Sequence, residues 1–215
     1  MKFRMVAFGL GTLVSFGNSP SPWDFIRSSY KIDKNYWKAF LAGKISRQDA
    51  KAGEYKTWRE AGIKKDKLLL DLKKNMVFIG QAKETFKKIK EQRAIPVILS
   101  DSPAVVVDDV AIILGAKHAT GNKIFFDKNG YAYETQPSHA GPDGRVSKIL
   151  ALKEFAQLEQ VSLPDVAIVT SNPEDIPLFR FVGFSVAFNP QSTELKRAAN
   201  IAIHSKDLSE VLEYL

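Results

Sequence analysis

The chain has 215 residues, 45% of them hydrophobic and 26% charged, with a formal net charge of +7. That length suits one α/β domain carrying a small insertion, and the balanced composition excludes disordered and fibrous classes. There is no cysteine, which excludes disulfides and thiolate metal sites, and no apolar run approaches the roughly 18 residues of a membrane span.

A cysteine-free chain suits a reducing interior, so a cytoplasmic location is expected. Charge is unevenly placed. Between Lys31 and Arg93 there are 18 Lys/Arg against 8 Asp/Glu, leaving 13 against 16 elsewhere. One segment carries the whole surplus.

Lys2 and Arg4 precede the apolar run Met5–Val14, which has the look of a short signal peptide but equally of a buried parallel strand. The strand reading is preferred, over residues 4–10. After the Gly17–Pro22 stretch, Trp23, Ile26 and Tyr30 recur at helical spacing, with Ser21 as cap and Pro22 at the first helical position. Tyr36, Trp37 and Phe40 predict a second helix stopped by Gly43. Ser46 starts a third over Arg47–Ala61, ended by Gly62, and Leu68, Leu69, Leu70 and Leu72 mark a fourth.

From about residue 82 helices and strands alternate. Ala82–Gln92 reads as helix, Ile95–Ser100 as buried strand and Ala104–Leu114 as helix. Lys123–Phe126 and Tyr131–Thr135 flank Asp127-Lys128-Asn129-Gly130, a hairpin signal. Helix Val146–Gln160, strand Val166–Val169, helix Asp175–Val182 and strand Phe184–Phe188 follow. A short helix at Thr193–Ala199, strand Ile201–His204 and helix Leu208–Tyr214 close the chain. The alternation predicts a Rossmann-like parallel sheet with right-handed crossovers. The expected organisation is an α/β core from residues 1–15 and 77–215, with a four-helix cap at 16–76 and a small β-hairpin.

Ligands of such sheets sit beyond the carboxyl ends of the strands, here Gly9–Thr12, Ser100–Ser102 and Thr170–Asp175. These stretches, with the endings Ile176–Phe179, Val186–Asn189 and Lys206–Leu212, resemble the haloacid-dehalogenase superfamily in its phosphoserine-phosphatase-like branch. The resemblance covers nearly the whole chain. It implies a carboxylate nucleophile after strand one, a second acid two residues on, a phosphate-binding Ser/Thr, a lysine and Mg²⁺-binding acids.

Measured against that resemblance the signatures are degenerate. Gly9 stands at the nucleophile position of Phe8-Gly9-Leu10-Gly11-Thr12-Leu13, with the second acid deleted; a gapless match would put Phe8 and Leu10 at the two positions. Either way no phosphoaspartate can form. Val97–Ser100 keeps the second signature, although Ser100 could equally cap the following helix. At the third, alignment through Gly144-Arg145-Val146 places Asp143, with Arg145 and Lys148 nearby. The fourth reads Thr170–Asp175, where Ser171 replaces the first acid and Asp175 survives, as a ligand or as a helix cap. With both acids missing, no Mg²⁺ site and no other cofactor is expected.

Two fates remain open for the pocket. Loss of carboxylates could leave a weak phosphate or small-anion site at Gly9, Gly11, Thr12, Ser100, Asp101 and Lys148, built on helix N-termini and a glycine turn. It could also have collapsed and filled. His118, His139 and His204 show no metal spacing; His139 could border the pocket and His204 is structural. The basic cap, with Tyr36, Trp37, Tyr55 and Trp58 interleaved, admits an acidic protein or nucleic acid as partner, or a plain solvated face whose aromatics build its own core. The leading expectation is a phosphatase fold acting as a non-catalytic binding or regulatory protein. The alternatives are an active phosphatase on a small phosphomonoester and an RNA- or ribosome-associated protein using the basic cap.

Overall fold

The computed structural model describes residues 1–215. Strand β1 (Met5–Gly9) is buried along its whole length at the centre of a seven-stranded sheet. It pairs in parallel with β4 (Ile95–Pro103) on one side and β7 (Val166–Thr170) on the other. Beyond β4 lie β5 (His118–Phe126) and the antiparallel β6 (Ala132–Pro137); beyond β7 lie β8 (Phe184–Phe188) and β9 (Ile201–Ile203). Connections leave β1 in opposite directions, so the sheet's topological switch point falls at the end of β1.

The alternation of β1 builds both layers. Val6 and Phe8 join the larger core, packed under α5 (Ala82–Glu91) and α6 (Ala104–Leu114). Met5 and Ala7 face the other side, under Ala151, Leu152 and Phe155 of α7 (Lys148–Leu158). Phe8 and Phe86 meet at 4.8 Å between ring centroids, both fully buried.

Between the short strands β2 (Val14–Ser15) and β3 (Val77–Phe78), which pair antiparallel, run α1 (Pro22–Ser29), α2 (Tyr36–Leu41), α3 (Arg47–Glu60) and α4 (Lys65–Asn75). The caps follow local chemistry: Ser21, Asn35 and Ser46 accept from the backbone N–H groups of Asp24, Lys38 and Asp49. Gly43 and Gly62 end α2 and α3 in the left-handed region. The insertion is tied to the hairpin β5–β6 at several points. Arg59 Nη2 donates to Asp127 at 2.7 Å, the Lys65 N–H donates to Gly130 O at 2.8 Å, and Tyr55 Oη meets Thr135 Oγ1 at 2.9 Å. Arg47 Nη2 also donates to Gly144 O at 2.8 Å.

Several expectations need correction. Residues 173–178 and 208–213 form 3₁₀ turns instead of α-helices; Pro177, which has no N–H to donate, interrupts the first. Strand β4 runs on to Pro103 through a register shift, and β5 begins at His118, five residues before the predicted hairpin arm. The β2–β3 pair was not foreseen. Tyr36, Trp37 and Tyr55 are half-buried and Trp58 is buried, so the interleaved aromatics are largely committed to packing. His204 lies exposed after β9, while His118 pairs with Glu159 at 2.6 Å.

Two carboxylates in the chain are buried, Glu54 and Asp175. Burial raises the Glu54 carboxyl above its ordinary value, with the Arg27 charge and the Trp58 N–H opposing. A carboxyl raised on folding opposes folding when ionised; the penalty is absent below its unfolded pKa and grows as pH rises through the folded value. Glu54→Gln should therefore match the native chain in denaturation midpoint near pH 4 and exceed it at pH 7. Phe86→Ala, which empties the space beside Phe8, should cost about 3–5 kcal/mol in urea unfolding.

Candidate functional site

The carboxyl ends of β1, β4 and β7 converge because Gly9 is in register with Leu99 and Phe8 with Val169. They floor a cavity of about 470 Å³ roofed by α1. Gly9, Gly11, Ser100, Asp101, Lys148, Ser171 and Asp175 all line it, so the sequence brought the right segments together and the pocket has not filled.

Thr12 does not line the cavity: it is buried, and its hydroxyl donates to Gly9 O at 2.7 Å, closing the 3₁₀ turn Leu10–Thr12. Ser100 is buried and its Oγ accepts from the Ser102 N–H at 3.0 Å. That is a strand-continuing contact, since α6 starts only at Ala104; no helix N-terminus follows Ser100 directly. Asp101 uses its backbone carbonyl to accept from Trp23 Nε1 and Asn122 Nδ2, so it anchors α1 over the site.

The centre is a closed polar cluster. Lys148, the first residue of α7, donates from Nζ to Asp175 Oδ1 at 2.6 Å, with both side chains almost wholly buried. Thr170 Oγ1 donates to Asp175 Oδ2 at 2.5 Å and also accepts from the Asn172 N–H. Burial works against the Lys148 ammonium, but Asp175, followed by Asp101 and Glu174, more than offsets it and holds the lysine above its ordinary value. Asp175 is therefore an ion-pair partner and not a helix cap. Lys148 is the lysine that reaches the site; Asp143, placed there by alignment, instead pairs with its neighbour Arg145 at 2.7 Å on the surface.

Gly9 faces this cluster with nothing. A Cβ built on Gly9 would lie 3.1 Å from Thr170 Oγ1 and 3.5 Å from Asp175 Oδ2. The threonine thus occupies the approach that a side chain at position 9 would need. A Cβ on Gly11 would come within 2.9 Å of Ser171 Oγ, which would have to turn aside. The donor set does not suit Mg²⁺, which wants several hard oxygens including carboxylates. Gly9 and Ser171 offer no carboxylate, both Asp175 oxygens are engaged, and no three acidic or histidine side chains gather closely enough to hold an ion.

The charged groups of the lining are mostly acidic. Asp24, Asp101, Glu174 and Asp175 outnumber Arg27 and Lys148. His139 is not part of it; it bonds Thr120 and faces Glu154. Sequence reasoning gave no role to Thr170 or to Arg27. The adjacent exchange to Thr170-Ser171 was the available signal for the first, and nothing in the helix pattern distinguished the second.

No protein-family model matches the chain. A phosphoserine phosphatase from Methanocaldococcus jannaschii is 27% identical over 134 residues, and the match spans 62% of this chain and 62% of that protein. A substrate-bound phosphoserine phosphatase complex superposes with a TM-score of 0.76 at 20% identity, covering 100% of this chain and 99% of the other. A phospho-aspartyl intermediate analogue of phosphoserine phosphatase gives 0.75 at 21% identity over 100% of both chains. A haloacid-dehalogenase family hydrolase from Salmonella enterica gives 0.73 at 13% identity, over 97% of this chain and 70% of that one. The chain has the fold of the haloacid-dehalogenase phosphatases in its phosphoserine-phosphatase form, as the resemblance implied.

Removing one partner of the buried pair leaves an uncompensated charge. Lys148→Met should destabilise the chain by about 3–5 kcal/mol, and the double variant with Asp175→Asn by clearly less, read by chemical denaturation. Gly9→Asp should lower the melting temperature through crowding and like charge against Asp175, and Asp175→Asn in the same chain should recover part of that loss by removing the repulsion.

Proposed function

We propose that this chain is a non-catalytic member of the phosphatase fold that binds ligand without hydrolysing it. The observation that carries the reading is the closed Lys148–Asp175–Thr170 cluster opposite a bare Gly9. Phosphoryl transfer by covalent catalysis begins with an attacking group, and position 9, where the resemblance puts it, carries no side chain. A phosphotransferase works with nucleophile, acid and metal as one unit, so the losses compound.

A small anion such as phosphate is held weakly at best. Backbone N–H groups around Gly9–Thr12 attract it, and four carboxylates of the lining oppose it. An acidic protein or nucleic acid on the lysine-rich insertion would be held by charge, so its binding would fall steeply with added salt. No helix is long and apolar enough to cross a membrane, and a cytoplasmic setting belongs to this reading.

Incubation with p-nitrophenyl phosphate or O-phosphoserine and Mg²⁺ should release product no faster than the uncatalysed control. Magnesium-stimulated turnover that disappears in Asp175→Asn would overturn the proposal.

A further inference from the structure

Helix α6 buries Val106, Val107, Val110 and Leu114 against the sheet, and that inner stripe is all the core requires of it. Ile112 and Ile113 fall outside the stripe, and Ile112 stands 78% exposed. Leu70 on α4 and Val77 on β3 are exposed on the same side of the molecule. Single exposed apolar residues are ordinary, but a cluster of them along grooves marks an interaction surface.

Two grooves meet here. One of about 740 Å³ runs between α5 and α6 and is lined by Phe78, Ile79, Ile112 and Ile113. The other, of about 360 Å³, lies between α4 and α6 and is lined by Leu69, Leu70, Met76 and Val105. Helix α6 and residues 76–79 wall both, so the grooves form one apolar surface.

Charge selects the partner. Lys83, Lys87 and Lys90 fall at i, i+4 and i+7 of α5, an exposed line about 10 Å long beside the larger groove. Lys83 forms no ion pair, Lys87 meets Glu84 and Glu91 only at 3.8 Å on exposed surface, and Lys90 reaches Leu114 O at 3.4 Å. Exposed pairs of that length hold a lysine loosely, so the line is open to an acidic partner. Shape narrows the choice further. A bilayer is flat and would leave both grooves unfilled, whereas a helix laid between two helices seats its own i, i+4 and i+7 side chains. Its flank repeats at the spacing of the lysine line, so acids there meet all three lysines together.

We propose that the groove between α5 and α6 docks an acidic amphipathic helix of another protein. Its leucine-type side chains sit between Ile79 and Ile112, and its glutamates or aspartates face Lys83, Lys87 and Lys90. This gives the binding role proposed above a partner class. It fails separately from that reading, because no side chain of α5 or α6 lines the Gly9 cavity and ester hydrolysis would be unaffected by changes there.

A fluorescein-labelled peptide of three Leu-Glu-Glu-Leu-Glu-Ala-Ala heptads, titrated with the full-length protein, would report docking by anisotropy. The expected result is saturable binding at about 1–100 μM. Peptides with lysine for the glutamates, or serine for the leucines, should each bind at least about tenfold more weakly. Ile112→Asp, at an exposed position, should weaken binding about tenfold. Lys83→Glu combined with Lys87→Glu should transfer the preference to the lysine peptide, a swap that misfolding cannot produce. Leu158→Ser, exposed on α7 across the sheet, should change nothing. The proposal is overturned by no saturable binding up to about 1 mM, by equal binding of the serine peptide, or by equal binding to an Ile112→Asp variant folded by circular dichroism. Unchanged preference in the charge-reversed variant would also overturn it. So would a dimer in sedimentation, or attachment to phosphatidylserine vesicles, that Ile112→Asp abolishes.

Discussion

The contact between the Lys148 ammonium and the Asp175 carboxylate is the constraint on which the rest of the site depends. Taking a carboxylate out of water is expensive, and one buried this deeply persists only with a matched cation and further hydrogen bonds. Lys148 at the start of α7 supplies the charge and Thr170 at the end of β7 supplies the second bond. Together they lock the mouth of the sheet's switch point, where a helix start, a strand end and the Pro173–Leu178 turn meet. The Asp175 carboxylate is thus neutralised by protein groups alone.

Two cavities adjoin at the insertion, and the composition of each follows from where its segments lie. The first is floored by strand ends and turns, which contribute acids and glycines; the second is walled by α2 and α3, from the lysine-rich stretch, and so is richer in bases. They share Trp23, Arg27, Asp101 and Glu174 as a partition. Opposite electrostatic character therefore lies a few side chains apart in one molecule, and a ligand suited to one compartment is poorly suited to the other.

Much of the architecture was legible because the signals are local. Buried parallel strands such as β1 and β7 are continuous apolar runs, and the insertion's helices carry their own caps and glycine stops. Where reading failed, tertiary contacts won. His118–Asn122 contains Thr120, Gly121 and Asn122, poor strand formers that pair only because β4 offers an edge. The 3₁₀ turns near Asp175 and Leu208 have too few residues for periodicity to decide. At the site, the absence of any acidic side chain from Phe8–Leu13 and at position 171 could be read directly, since absence needs no geometry. What could not be read was the arrangement: that Thr170 stands against Gly9, that Lys148 and not Asp143 reaches the centre, or that Arg47 Nε and Glu54 Oε2 are left without partners.

The stitching between the insertion and the β5–β6 hairpin has a kinetic consequence. Swinging the insertion away would break the bonds of Arg47, Tyr55, Arg59 and Lys65 together. At roughly 1 kcal/mol for each, such a latch keeps the ajar form to about one molecule in a thousand. Motion of the insertion relative to the hairpin is then confined to rare excursions.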